Sequence, residues 1–212
     1  MKILYFDTET TGLSPRGGVA FGQPYLGHIC QLTYVMEEGA ETVAKNYFFA
    51  VDYVEPGASA VNGLNARLLY TLSGGREFSD DFDAIQADFS QADVVVAHNL
   101  AFDTKFMQAE YERLSREFIV KRGFCSMKGS ADYLRIPSAR FAGRYKLPSL
   151  AELAQGFGVD EAEVHRVTTE LFGNDAGAHD ARYDTVKLML ACRKGREVCP
   201  QMQEALTEGG LL

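Results

Sequence analysis

The sequence predicts an α/β layer fold built on a mixed sheet, and three observations predict it. Two short continuous apolar runs, Ile3 to Phe6 and Val94 to Ala97, have the pattern of strands covered on both faces. The segments His28 to Met36 and Thr42 to Val51 alternate around Glu37-Glu38-Gly39, a turn sequence, which predicts an antiparallel hairpin. Further on, segments of helical period separate the apolar runs, so crossover helices join strands that lie parallel.

Taken in order, Ile3 to Phe6 opens the sheet and the hairpin adds its antiparallel members. Phe82, Ile85 and Phe89 then recur at helical spacing behind Ser79, a residue type suited to an N-cap. After the strand Val94 to Ala97, residues 102 to about 116 read as a helix with Phe106, Ala109 and Leu114 near one face. A short strand at Phe124-Cys125-Ser126 precedes a helix to Leu134. Ser149-Leu150-Ala151-Glu152 is a capping box, followed by Leu153, Ala154 and Phe157 at amphipathic spacing and by Gly158 as a stop. The last firm helix runs from Asp180 to about Arg193. Residues 1–195 form the expected domain and 196–212 a peripheral tail, with a helical turn or two beginning at Pro200. Two loops stand out: Gly12 to Gly27, rich in Gly and Pro, and Ile136 to Pro148, which carries Arg140, Arg144 and Lys146 among Phe141 and Tyr145.

A chain of 212 residues with 46% hydrophobic and 24% charged residues can bury a full core, which excludes a disordered, collagen-like or disulfide-built chain. The net charge of -8 excludes a basic coat that would hold nucleic acid by counterion release. Cys30, Cys125, Cys192 and Cys199 form no CxxC pair, so they read as reduced thiols and not as a zinc site. The apolar start, Met1 to Phe6, is too short for a signal peptide and no stretch could span a bilayer, so the expected location is cytoplasmic, without a membrane partner.

Three acidic clusters carry the chemistry. Asp7-Thr8-Glu9 ends the first strand; residues i and i+2 of extended chain face one side roughly 7 Å apart, so both carboxylates can reach one divalent cation. Such pairs arise by chance roughly four times in a chain this acidic, so this pair alone could be a polar strand end. The second cluster, His98-Asn99-Leu100-Ala101-Phe102-Asp103, follows the buried strand. Asn99 as N-cap would place Asp103 in the first helical turn, where the macrodipole favours its ionised form. Phe102 reads as a core anchor before a base-stacking platform. The third, His179-Asp180-Ala181-Arg182-Tyr183-Asp184, opens the last helix, with Asp180 as cap, Asp184 in the first turn and His179 on the turn before it. All three lie where open α/β sheets place their sites. Converging carboxylates need a cation, and all-oxygen ligation suits Mg²⁺ or Mn²⁺. Two such ions about 3.5 to 4 Å apart are the standard device for attack at a phosphate, and a histidine suits the attacking water as base.

Asp7-x-Glu9, His98-Asn99-x-x-Phe102-Asp103 and His179-x-Ala181-x-x-Asp184 together resemble the three motifs of the DEDDh 3'-5' exonuclease superfamily, the group that includes the proofreading epsilon subunit of bacterial DNA polymerase III, ribonuclease T and oligoribonuclease. The similarity runs from residue 2 to about residue 193 and takes in Val61-Asn62-Gly63-Leu64. It implies a ribonuclease-H-like fold with a five-stranded mixed sheet. It also implies two cations held by Asp7, Glu9, Asp103 and Asp184, His179 as general base, and release of nucleoside 5'-monophosphates. Thr8, Thr10 and Leu13 fall where family members contact the terminal nucleotide, and His98, Asn99 and Phe102 join them as candidate substrate contacts.

The two long loops depart from the pattern. Arg140 and Arg144, with Phe141 and Tyr145, are expected to contact phosphates and bases of the substrate strand; the alternative is a solvated loop. The expected substrate is the 3' end of a single strand or a frayed duplex end, DNA first and RNA as the rival, with a DNA polymerase subunit as a possible partner. A catalytically silent binding module should lack a carboxylate or the base, and here all five positions are filled.

Overall fold

A computed structural model describes residues 1–12, 27–141, 143–174 and 176–207. In chain order the strands are β1 (Lys2–Thr10), β2 (Ile29–Glu38), β3 (Glu41–Phe48), β4 (Val94–Ala97) and β5 (Gly123–Cys125). The helices are α1 (Pro56–Asn62), α2 (Ala66–Ser73), α3 (Phe78–Gln91), α4 (Leu100–Arg113), α5 (Ser126–Gly129), α6 (Ala131–Leu134), α7 (Leu150–Gly156), α8 (Glu161–Phe172), α9 (Ala181–Val198) and α10 (Pro200–Leu206). The five strands form one mixed sheet in the order β3-β2-β1-β4-β5. β2 pairs antiparallel with β1 on one side and with β3 on the other, whereas β4 and β5 run parallel to β1.

Alternation along β1 divides the molecule. Ile3 and Tyr5 join Val35, Val94 and Val96 in a core closed by α7, α8, α9 and α10, while Leu4 and Phe6 join Leu32, Tyr34 and Val95 in a core closed by α3 and α4. By the same period of two, Asp7 and Glu9 face the α9 side and Thr8 and Thr10 the α4 side. The last pair between β1 and β4 is Tyr5 with Val96, so β1 outruns its parallel neighbour. Asp7 and Glu9 therefore stand beyond the carboxyl end of β4, in the crevice that such sheets leave open.

Several expectations change. β1 extends through Thr10, which carries the strand past Phe6 and keeps the acidic pair in extended chain near its end, as read. The cap of α3 is Glu77, in a reciprocal box with Asp80, and not Ser79. Asn99 does precede α4, but at φ 71° and with no capping bond from its side chain. The helices α1, α2 and α8 have no counterpart in the sequence reading. Residues 196–206 are not peripheral: α9 continues to Val198, and Cys199, Met202 and Leu206 are buried in the α9-side core. Gly195 is a packing notch, because a Cβ there would overlap the Met202 sulfur. The capping box Ser149/Glu152 and the start of the terminal helix at Pro200 stand as read.

Candidate active site

The open end of β1 gathers the acidic clusters. Asp7 and Glu9 from β1 and Asp184 from the first turn of α9 offer carboxylate oxygens that all lie within 4.8 Å of one another. They meet because α9 packs across β1 and β2 on the face to which Asp7 and Glu9 point. Asp103, 2% exposed in the first turn of α4, comes from the other face, and its Oδ1 accepts a hydrogen bond from the Thr8 hydroxyl at 2.8 Å. Two helix N-termini thus face one strand end, each favouring negative charge there.

The electrostatics are those of anions held together against their repulsion. Burial, then Asp103, Asp184 and Glu9, push the Asp7 carboxyl well above its ordinary value. Glu9 is pushed up to about 8 by burial and Asp184, opposed by a hydrogen bond from the Asn62 side chain. Burial pushes Asp103 up to about 7 despite the Thr8 hydroxyl. Asp184 is raised by burial as well, opposed by the His179 backbone and charge. Among the described residues no Lys or Arg forms an ion pair with these four carboxylates. A hard divalent cation fits the donor set: its ligands are oxygens only, and its charge offsets the burial that raises all four groups and the repulsion that adds to it at Asp7 and Glu9.

His179 lies beside this cluster on an exposed turn at φ 64°, and its backbone N–H donates to Asp184 Oδ2 at 3.1 Å. Asp180 caps α9. Burial would raise Asp180, but bonds from Arg182 and Gln31 outweigh it and hold the carboxyl below its usual value.

The other expected contacts divide. Thr8 and Thr10 are buried on the α4 side, and the Thr10 carbonyl accepts from Asn62 Nδ2 at 3.4 Å. Both ring nitrogens of His98 are taken, by Ser126 Oγ at 3.0 Å and the Pro148 carbonyl at 3.1 Å, and burial lowers its pKa to about 4. This histidine is a clasp between the end of β4 and the return of the 136–148 loop, not a free substrate contact. Phe102 is half-buried with its ring 4.8 Å from that of Phe106, as a core anchor should be, while Asn99 is exposed. Arg140 and Arg144 are exposed in a short hairpin tied by bonds from Ser138 N to Arg144 O and from Lys146 N to Ile136 O, where both guanidiniums approach the Phe141 ring. Leu13 lies outside the described residues. Asn62, Gln31 and Arg182 were missed as parts of the site; Asn62 and Arg182 carried a signal, as members of Val61-Asn62-Gly63-Leu64 and of the third acidic cluster, and Gln31 carried none.

A sheet end with three convergent carboxylates, a fourth beside them and a histidine on the adjoining turn defines a hydrolase of the nuclease class. The family model described as exonuclease, of the RNase T type, matches residues 4–190, and the chain belongs to that family as a member of the DEDDh group. Among curated proteins it is 27% identical over 164 residues to the DNA polymerase III subunit epsilon of Escherichia coli, covering 76% of this chain and 62% of that one. The corresponding subunit of Buchnera aphidicola from Schizaphis graminum is 24% identical over 152 residues, 68% of this chain and 58% of that one. A DNA polymerase III subunit epsilon-like protein of Rhodobacter capsulatus is 29% identical over 124 residues, which is 56% of this chain but 16% of the relative. The chain thus matches about three fifths of the length of the first two relatives.

Proposed function

We propose that this exonuclease removes nucleotides from the 3' end of DNA, hydrolysing the terminal phosphodiester and releasing nucleoside 5'-monophosphates. The observation that carries this reading is the convergence of Asp7, Glu9 and Asp184 at the open end of β1 with Asp103 alongside. These residues would hold two Mg²⁺ or Mn²⁺ ions, Asp103 directly or through water. When bound, the cations supply positive charge at the reacting phosphate. His179 takes the proton of the attacking water, and its exposed turn gives it access to solvent for returning that proton. The backbone beside Thr8 and Thr10 and the exposed edge at Asn99 line the approach of the terminal nucleotide. Arg140 and Arg144 meet phosphates further along the strand.

The relatives named as polymerase III epsilon subunits support DNA before RNA and a polymerase as a partner. All four cysteines are free, and no helix among the described residues is long and apolar enough to cross a membrane.

Matched DNA and RNA oligonucleotides, labelled separately at each end, test the reading. With Mg²⁺ or Mn²⁺ the 3' label should leave at once as a mononucleotide while the 5'-labelled strand shortens stepwise, faster for DNA, and EDTA should stop both. Release of the 5' label first, or activity in EDTA, would overturn it.

A further inference from the structure

We propose that Gln31, acting through Asp180 and Arg182, is a positioning residue for His179. The inference rests on the reading of His179 as general base and adds the device that holds it.

His179 needs one. Its backbone is left-handed, a conformation unfavourable for a non-glycine residue, and its exposed ring has no hydrogen-bond partner among the described residues. Neighbouring backbone must therefore fix it. One anchor is the bond from His179 N–H to Asp184, a carboxylate with another task in the proposed reaction. The other is Asp180, whose N–H closes the turn onto the Gly177 carbonyl at 3.1 Å.

Asp180 is held more firmly than a helix cap requires. A cap needs one acceptor, and Asp180 Oδ1 supplies it to Arg182 N at 3.0 Å. The same carboxylate also accepts from Arg182 Nε at 2.9 Å, Arg182 Nη2 at 2.5 Å and Gln31 Nε2 at 3.0 Å. Gln31 is 1% exposed and uses its whole amide: Nε2 also donates to Asn46 Oδ1 at 2.9 Å, and Oε1 accepts from Ala181 N at 3.3 Å. Thr33 Oγ1 donates to the same Asn46 oxygen at 2.6 Å. At its far end Arg182 reaches Asn174 Oδ1 at 2.5 Å and lies over the Phe48 ring. A satisfied, partly buried network of this kind holds one geometry. It starts beside the carboxylates: Gln31 is the register partner of Glu9 on β2, so both side chains rise from one face of the sheet. The strand that presents the acidic group and the turn that presents His179 are thereby locked to each other.

A double-mutant cycle tests this, using Gln31→Leu and Arg182→Gln, each alone and combined with His179→Ala, read in the steady state with substrate in excess. With His179 present, each variant should lower kcat on the order of 10-fold and leave KM within about 2-fold, because a small displacement of a reacting group costs this much. In the His179→Ala background the further loss should be under about 2-fold. Arg182→Gln changes no residue of the sheet and removes only the contact with the Phe48 ring at its edge, so it carries the test if Gln31→Leu melts early. Equal losses in both backgrounds would show a merely structural role, and wild-type kcat in both variants would show none; either overturns the inference while the function stands. Wild-type kcat for His179→Ala alone would instead overturn the base assignment, and the inference with it.

Discussion

The floor of the site and its rim are built in opposite ways. Asp7 and Glu9 stand on a strand paired with β2 along its length, and Asp103 is fully enclosed on α4, so these carboxylates cannot relax away from one another. His179, Arg140 and Arg144 sit on exposed turns held mainly by backbone and neighbouring side chains. The difference teaches where rigidity is needed. Like charges at ligand distance destabilise the fold in the absence of metal, and packed strands and helices hold that arrangement where a turn would let it relax. A group that exchanges a proton with water or follows a moving strand belongs at the rim.

The comparison breaks most sharply at Asp7. Asp7→Asn should lower turnover by more than the roughly 100-fold that loss of an outer metal-site partner costs, while the metal-free protein melts at a higher temperature because one repelling charge is gone. Assay and melting curve together decide it. An Asp7→Asn protein that is active, or less stable than wild type without metal, would mean that the floor is not a charged metal site.

What the sequence made legible follows the same division. The floor was readable because its signals are local: Asp7 and Glu9 are two apart, Asp103 opens a helix behind the buried run Val94–Ala97, and Asp184 opens one behind the capping residue Asp180. The bonds that organise the floor and rim were not readable, since Gln31 and Asp180 are 149 positions apart and neither residue type announces the other. The helix α8 was missed although Asp160 caps it, Val164 and Thr168 bury one face and Gly173 ends it at φ 76°. Its single buried face is narrow, carried by Val164 and Thr168. Residues 196–206 were misread because a glycine in a helix resembles a stop; Gly195 is there so that Met202 can approach. His98 was placed with substrate from its position after β4, and only the fold shows Pro148 waiting for its second nitrogen.

A titration of stability sharpens the same contrast. Glu9 at about 8 and Asp103 at about 7, with Asp7 and Asp184 also raised, bind protons more tightly in the folded chain than in the unfolded one. Their stabilising effect is full below the ordinary carboxylate range and is lost as pH rises through these folded values. His98 acts oppositely: held at about 4 from an ordinary 6.5, it makes stability rise with pH only up to about 6.5. Between about pH 6.5 and 8.5 the carboxylates therefore dominate. The metal-free melting temperature should fall across that window by at least about 3 °C, and Mg²⁺ should flatten or reverse the slope because ligation needs the ionised forms. A metal-free melting temperature that is flat or rises there would show that the floor carries no mutual repulsion.

The smallest effect is expected at the rim hairpin. Arg140 and Arg144 have no carboxylate partner among the described residues and share the Phe141 ring, so they present two free cations beside an exposed aromatic on a chain of net charge -8. The His98 clasp to Pro148 fixes the return of this hairpin at the end of β4, next to the helix that carries Asp103. Arg140→Ala with Arg144→Ala should raise KM for a single-stranded oligonucleotide roughly 3- to 10-fold, with the larger share of the loss in KM and not in kcat. The slope of log KM against log salt should shrink by about one for each phosphate contact removed. The salt slope is the deciding measurement, because a general loosening of the loop would change KM without changing how many counterions the substrate releases. An unaltered slope would leave the hairpin as a solvated surface and place all of the grip on the strand at the carboxylate floor.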